Sequence, residues 1–152
     1  MNPANNEYRK YLILVSTLIT IDQISKYIVS INNDYFLNKD LFIFSFNYVR
    51  NYGAAFNLFE GNRIFLSSIS VVSSLFLIYF IFFKETLSSL NRYGLSYILA
   101  GSLGNGIDRL INAYVIDFIN IKIFDFPIFN IADISINIGC ILLIFNYIKY
   151  KK

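Results

Sequence analysis

Long apolar runs separated by short polar links dominate this chain. The first begins at Tyr11, directly behind the basic pair Arg9 and Lys10, and continues to about Ser30 without a small-residue cleavage site. It therefore reads as a retained helix and not as a removed leader. Ile64 to Phe83 is 20 residues without a charge, bracketed by Arg63 and Lys84. A third run from Tyr93 to Ile111 starts apolar and ends polar, and a fourth starts near Asn130. About 20 apolar residues suffice to cross a bilayer core, so the pattern predicts four spans, over residues 11–30, 64–83, 93–111 and 131–150.

Between the first two spans, residues 31–63 are too polar to cross. Leu41 to Tyr52 alternates with period two, with Phe42, Phe44, Phe46 and Tyr48 on one side and Ser45 and Asn47 on the other. That period, with its aromatic enrichment, predicts extended structure resting at the membrane interface. The β-branched run Val115–Ile119 reads the same way. The fold class expected is a mainly α membrane protein: a four-transmembrane-helix bundle with a small extracytoplasmic β-containing region, as one domain over residues 1–152. Arg9, Lys10, Lys84, Arg92, Lys149, Lys151 and Lys152 flank one side, against Lys39, Arg50, Arg63 and Lys122 on the other. The richer side is cytoplasmic, which puts both termini inside and collects the polar motifs at the outer face.

Composition narrows the chemistry. The chain is 56% hydrophobic and only 15% charged. Its net charge of +3 is spread around the spans and forms no patch for nucleic acid. With one cysteine and no histidine, an internal disulfide, Cys/His zinc spacing and a histidine-assisted nucleophile are all excluded. Cys140, among apolar residues, reads as a packing group. Carboxylates and lysine are what remain, and no cofactor or metal is expected.

Four of the ten acidic residues, Asp108, Asp117, Asp125 and Asp133, fall between Asn105 and Asp133. Ionisable groups near hydrocarbon are costly and point to function. Asp22 and Lys26 share a helix face, as a structural ion pair or as groups that orient a site. Gly53, with Ala54 and Ala55, either makes a turn or lets another backbone approach closely. Gly101, Asn105 and Asp108 share a face, with Arg109 four residues beyond Asn105; Asp108 and Arg109 also read as an interfacial charge pair. Ser67, Ser70 and Ser74 suit helix packing. Asn130, Asp133 and Asn137 form a polar stripe at the head of the last span. A capping box explains the first two but leaves Asn137 unexplained.

Asp117 and Asp133, on separate elements, can meet at the outer end of the bundle. Two carboxylates held close cannot both ionise; one keeps its proton and the other acts as base. Such a pair can activate water for attack on a peptide carbonyl. Asn105, Asn130 and Arg109 would supply donors to the substrate backbone and to developing charge.

Five blocks carry a resemblance. They are Asp22-Gln23-Ile24-Ser25-Lys26, Asn51-Tyr52-Gly53-Ala54-Ala55-Phe56, Gly104-Asn105-Gly106-Ile107-Asp108-Arg109, Val115-Ile116-Asp117-Phe118 and Phe129-Asn130-Ile131-Ala132-Asp133. In this order they resemble the lipoprotein signal peptidase (signal peptidase II) family. The resemblance implies a multi-pass aspartyl endopeptidase of the bacterial inner membrane. Such enzymes remove prolipoprotein signal peptides just before a diacylglyceryl-modified cysteine, among membrane lipid, and are inhibited by globomycin; a monomer is expected. It further implies Asp117 and Asp133 as the catalytic dyad, Asn51, Asn105, Arg109 and Asn130 along the substrate site, and Asp22 in support; the residue pattern itself adds Gly53 to the substrate site and Lys26, Asp108 and Asn137 to the supporting groups. Ser102 and Ile134 depart from the family's usual small residues, and Ile134 is bulky beside the dyad. The rival reading is a small ion- or proton-coupled transporter, which calls for midplane charges, broken helices and often inverted repeats; here the acids gather at one face and no repeat is visible. A non-catalytic membrane subunit explains the spans but not the two acids.

Overall fold

The computed structural model describes residues 3–32, 39–54, 58–123 and 126–151. Ala55, Phe56 and Asp125 lie outside the described residues. The order is α1 (Pro3–Ile31), β1 (Lys39–Leu41), β2 (Phe44–Asn51), α2 (Arg63–Phe83), α3 (Ser89–Asn112), β3 (Val115–Ile121) and α4 (Ile131–Tyr150). The fold is mainly helical. Three stretches, Glu7–Ile31, Arg63–Phe83 and Ile131–Tyr150, are long and apolar enough to cross a membrane. The 24-residue α3 is equally long but more polar, because it is the helix the others pack around.

That packing is inverted relative to a water-soluble bundle. Leu12, Ile24, Val72, Phe76, Ile141 and Phe145 face outward, whereas Asp22, Lys26, Arg92, Ser96, Asn105 and Asp108 are buried. Apolar exteriors around satisfied polar interiors are what a hydrocarbon solvent selects. Cys140 also lies exposed, so it is not the packing group expected of it.

Close approach to α3 depends on missing side chains. A Cβ at Gly101 would collide with the backbone of Ala132 on α4, and one at Gly104 would sit 2.6 Å from Asp22 Oδ2 on α1. Small residues at such crossings let helices meet through van der Waals contact. Two arginines close the α2–α3 hairpin. Arg92 donates to the Ile81 and Lys84 (3.0 Å) carbonyls at the end of α2, and Arg63 donates to those of Arg109 (2.9 Å) and Leu110 at the end of α3. Each adds a guanidinium donor to carbonyls at a helix end, of which those of Arg109 and Lys84 also accept from the Ala113 and Leu87 N–H groups.

The strands form one antiparallel sheet in the order β1-β2-β3. Phe42, expected to continue the alternation, lies instead in the turn before β2 and is fully exposed. The β2–β3 register shifts between Phe46 and Val49, so Val49 opposes Asp117 and Asn51 opposes Val115. Phe129 then bridges Ile119, its N–H donating to the Ile119 carbonyl at 3.0 Å. This sets the first residues of α4 against β3.

Gly101→Ala should push α4 away from α3. Overpacking of this kind costs about 1–3 kcal/mol, read as a lower unfolding temperature in detergent. Cys140→Ala, on the outer face, should leave that temperature unchanged.

Candidate active site

Asp117 and Asp133 reach the same place from different elements. Asp117 is buried on β3, and Asp133 is in the first turn of α4. Asn130 joins them. Its Nδ2 donates to Asp117 Oδ1 at 2.6 Å and its backbone N–H donates to Asp133 Oδ2 at 3.1 Å. In return the Asp133 N–H donates to Asn130 Oδ1 at 3.0 Å, completing the capping box. The cap is thus real, and the same acid also faces the site.

Each remaining carboxylate oxygen has its own amide. Asn51 Nδ2 donates to Asp117 Oδ2 at 2.9 Å, and Asn105 Nδ2 donates to Asp133 Oδ1 at 2.8 Å. The orientation of all three amides follows from groups that can only donate. The Gly53 N–H meets Asn51 Oδ1 at 2.9 Å, the Asp133 N–H meets Asn130 Oδ1, and Lys26 Nζ meets Asn105 Oδ1 at 3.0 Å. An atom facing an obligate donor must be the carbonyl oxygen, so every NH2 is turned toward the two acids.

Behind Asn105 lies a buried triad. Lys26 Nζ is 2.9 Å from both Asp22 Oδ2 and Asp108 Oδ2. Asp22 Oδ1 accepts from the Ala132 N–H at 2.9 Å, and Asp108 Oδ2 accepts from the Ile116 N–H at 3.3 Å. Asp108 therefore pairs with Lys26 on α1 and not with its chain neighbour Arg109, because adjacent helix positions point in different directions. Gln23 Nε2 spans Asp22, Asp108 and the Gly104 carbonyl at 3.1–3.2 Å. It was not among the expected site residues, although an amide between Asp22 and Lys26 in an apolar helix was a signal.

Arg109 Nη2 donates to the Gly53 carbonyl at 2.8 Å, which ties the loop after β2 to the end of α3. The Gly53 carbonyl is thus held by a guanidinium. Arg63, also outside the expected set, holds the carbonyls on which this end of α3 finishes.

The two acids line a cavity of about 520 Å³, together with Asn51, Asn105, Arg109 and Phe129. It continues between α2 and α4 past Ser70, Ser73 and Ser102 to Leu77 and Ile98. Ser102 Oγ lies 3.0 Å from Ser73 Oγ and 3.3 Å from Ser74 Oγ, so it joins α2 to α3 as well as lining the wall. Asn137 is exposed on the same wall, outside the amide network. Ile134 does not line the cavity.

Burial drives the Asp117 carboxyl up from 3.8 to about 6. The charge of Asp133 adds to the rise, and the amides of Asn51 and Asn130 and the charge of Lys26 oppose it. A carboxyl with that poise takes and returns a proton near neutral pH. Among the described residues no three His, Cys, Asp or Glu side chains stand close enough to share a metal ion.

The family model described as "Signal peptidase (SPase) II" matches residues 14–149. A lipoprotein signal peptidase of Clostridium tetani is 39% identical over 91% of this chain and 92% of its own length. One of Microcystis aeruginosa is 38% identical over 93% and 92%. A solved structure titled as a bacterial membrane enzyme superposes with a TM-score of 0.86 at 33% identity, covering 94% of this chain and 90% of that one. A family match across nearly the whole chain, around two acids held by oriented amides, leads to one conclusion: the chain belongs to the signal peptidase II family, and its architecture is that of a membrane protease.

Proposed function

We propose that this chain is a membrane-embedded aspartyl endopeptidase. It removes the signal peptide from bacterial prolipoproteins on the N-terminal side of a diacylglyceryl-modified cysteine. The observation that carries the mechanism is the pair of carboxylates in the wall of a largely apolar cavity, each bracketed by fixed amide donors. A lipidated peptide supplies both what the acids attack and what the cavity buries.

Asp133, in the first turn of α4, is favoured as the carboxylate by the backbone N–H groups and the helix dipole. Asp117 holds the proton. Water between them attacks the scissile carbonyl, losing a proton to Asp133 as the Asp117 proton passes to the carbonyl oxygen. Collapse breaks the C–N bond: the Asp133 proton goes to the leaving amine, and a hydroxyl proton of the diol returns to Asp117. The atoms balance and both acids return to their starting states. Arg109, Asn51 and Gly53 are proposed to position the substrate backbone, with Asp22, Lys26 and Asp108 in support.

The proposal places four spans in the bacterial cytoplasmic membrane, with α3 as the third and both termini inside. The sheet and the dyad then lie near the outer face. The enzyme acts as a monomer among membrane lipid, and globomycin-type cyclic peptides block it.

Asp117→Asn and Asp133→Asn should each abolish release of the signal peptide from a lipidated prolipoprotein on a gel, with insertion retained. Wild-type rates in either variant would remove the dyad mechanism. The free enzyme needs the Asp117 proton, so kcat/KM should fall roughly tenfold per pH unit once pH exceeds about 6; a profile flat through that range would contradict the assignment. Reporter fusions at Lys152 and in the Lys84–Arg92 link should read inside and a fusion at Lys39 outside, and an outside C-terminus would defeat the charge argument.

A further inference from the structure

The Lys26 ammonium has three protons and three partners: Asp22, Asp108 and Asn105. Two carboxylates already exceed what one cation needs for neutrality, so the third bond is not required to balance charge. It goes to a neutral carbonyl oxygen, and that oxygen belongs to the amide whose other end donates to Asp133 at 2.8 Å.

We propose that Lys26 is a positioning residue for the proposed peptidase reaction: by holding the Asn105 carbonyl, it keeps the Asn105 NH2 on Asp133 and so favours the ionised form of Asp133. This rests on the peptidase reading above. An amide presents nearly the same shape either way round, so sterics alone do not orient Asn105. Turned over, it would offer Asp133 an acceptor, which a carboxylic acid satisfies and a carboxylate does not. Orientation thus becomes protonation. Asn105 Oδ1 also accepts from Asn130 Nδ2 at 3.1 Å, but that group has a charged alternative in Asp117 at 2.6 Å. Lys26 is the donor bound to the Asn105 oxygen that is itself held by ion pairs.

Among the described residues, the charged groups that share the cavity wall with Asp133 are Asp117 on β3 and Arg109 on α3; Lys26, with Asp22 and Asp108, lies behind Asn105, and α2 lends the cavity only uncharged side chains. Lys26→Met alone would leave Asp22 and Asp108 buried without a counter-charge. The informative variant is therefore Lys26→Met/Asp22→Asn/Asp108→Asn. It takes the triad from a net charge of about −1 to 0, counting ordinary ionisation. Through-space electrostatics alone would then ease ionisation of Asp133 and move the acid limb of the kcat profile to lower pH. Loss of the amide orientation moves it the other way.

With the full chain in detergent and a lipidated prolipoprotein, the triple variant should show a kcat lower by roughly 10- to 100-fold, the worth of a hydrogen bond to a charged group. KM should stay within about twofold and the acid limb should rise by about one pH unit. Added to Asn105→Leu, the triple change should lower kcat no further, since Lys26 acts through that amide. Lys26→Arg keeps a charge that can only donate; its limb should stay in place, and this arm reads out even where the triple variant does not fold. A triple variant with wild-type kcat, a limb that stays or falls, additive losses with Asn105→Leu, or a limb that moves in Lys26→Arg overturns the role of Lys26. Absence of cleavage by the wild-type chain overturns the peptidase reading itself.

Discussion

The buried ammonium of Lys26 is the interaction on which the rest of the structure depends. Taking three charged groups out of solvent is expensive, and such clusters persist only where further hydrogen bonds satisfy their atoms. Here those bonds come from several elements. Asp22 holds the Ala132 N–H at the head of α4, and Asp108 holds the Ile116 N–H on β3. Gln23 links both acids to the α3 backbone. Four elements, α1, α3, α4 and β3, thus converge on one cation. Between helices in lipid there is no hydrophobic drive to set register, and a polar cluster with one satisfying arrangement does so instead. The space for it comes from Gly104, where any side chain would meet Asp22.

Direction is propagated from that cluster and from two backbone N–H groups. Ammonium and amide N–H groups donate and never accept, so each asparagine they touch has only one way to face. Asn51, Asn105 and Asn130 consequently present donors to Asp117 and Asp133. A site made of carboxylates and amides alone would have several near-equal hydrogen-bond patterns, and here those patterns reduce to one. Such preorganisation is what lets fixed dipoles stabilise changing charge without reorganising.

The helices and both strand segments were legible because their apolar periods are local. The cap at Asn130 was legible too, as a spacing of three. What failed depends on distance or on a break in period. Phe42 continues the alternation on paper, but the chain turns there. Asp108 has a cation beside it in sequence, and its actual partner lies 82 positions away on another helix. Gln23, inside one of the quoted blocks, had no visible role because both of its acidic partners and the Gly104 carbonyl are known only once α1 and α3 are packed. The candidate acids were found by composition, since carboxylates are rare in so apolar a chain, whereas the donors that orient them depend on contacts between separate elements.

The proposed dyad is set by strand register as much as by the bundle. Asp117 faces Asn51 only because the β2–β3 ladder shifts between Phe46 and Val49, bringing Asn51 opposite Val115. Side chains alternate along a strand, so a slip of one residue would turn Asp117 to the opposite face. The Phe129–Ile119 bridge carries the same register into Asn130, and through the capping box into Asp133. Asp133 therefore starts a helix and faces the cavity with a single geometry. The two tasks do not compete: Asn130 N–H binds one carboxylate oxygen while Asn105 binds the other. A helix N-terminus stabilises negative charge whether that charge is a cap or a base. Using one acid for both ties the start of α4 to the proposed dyad, so a shift that spoiled the site would also uncap the helix.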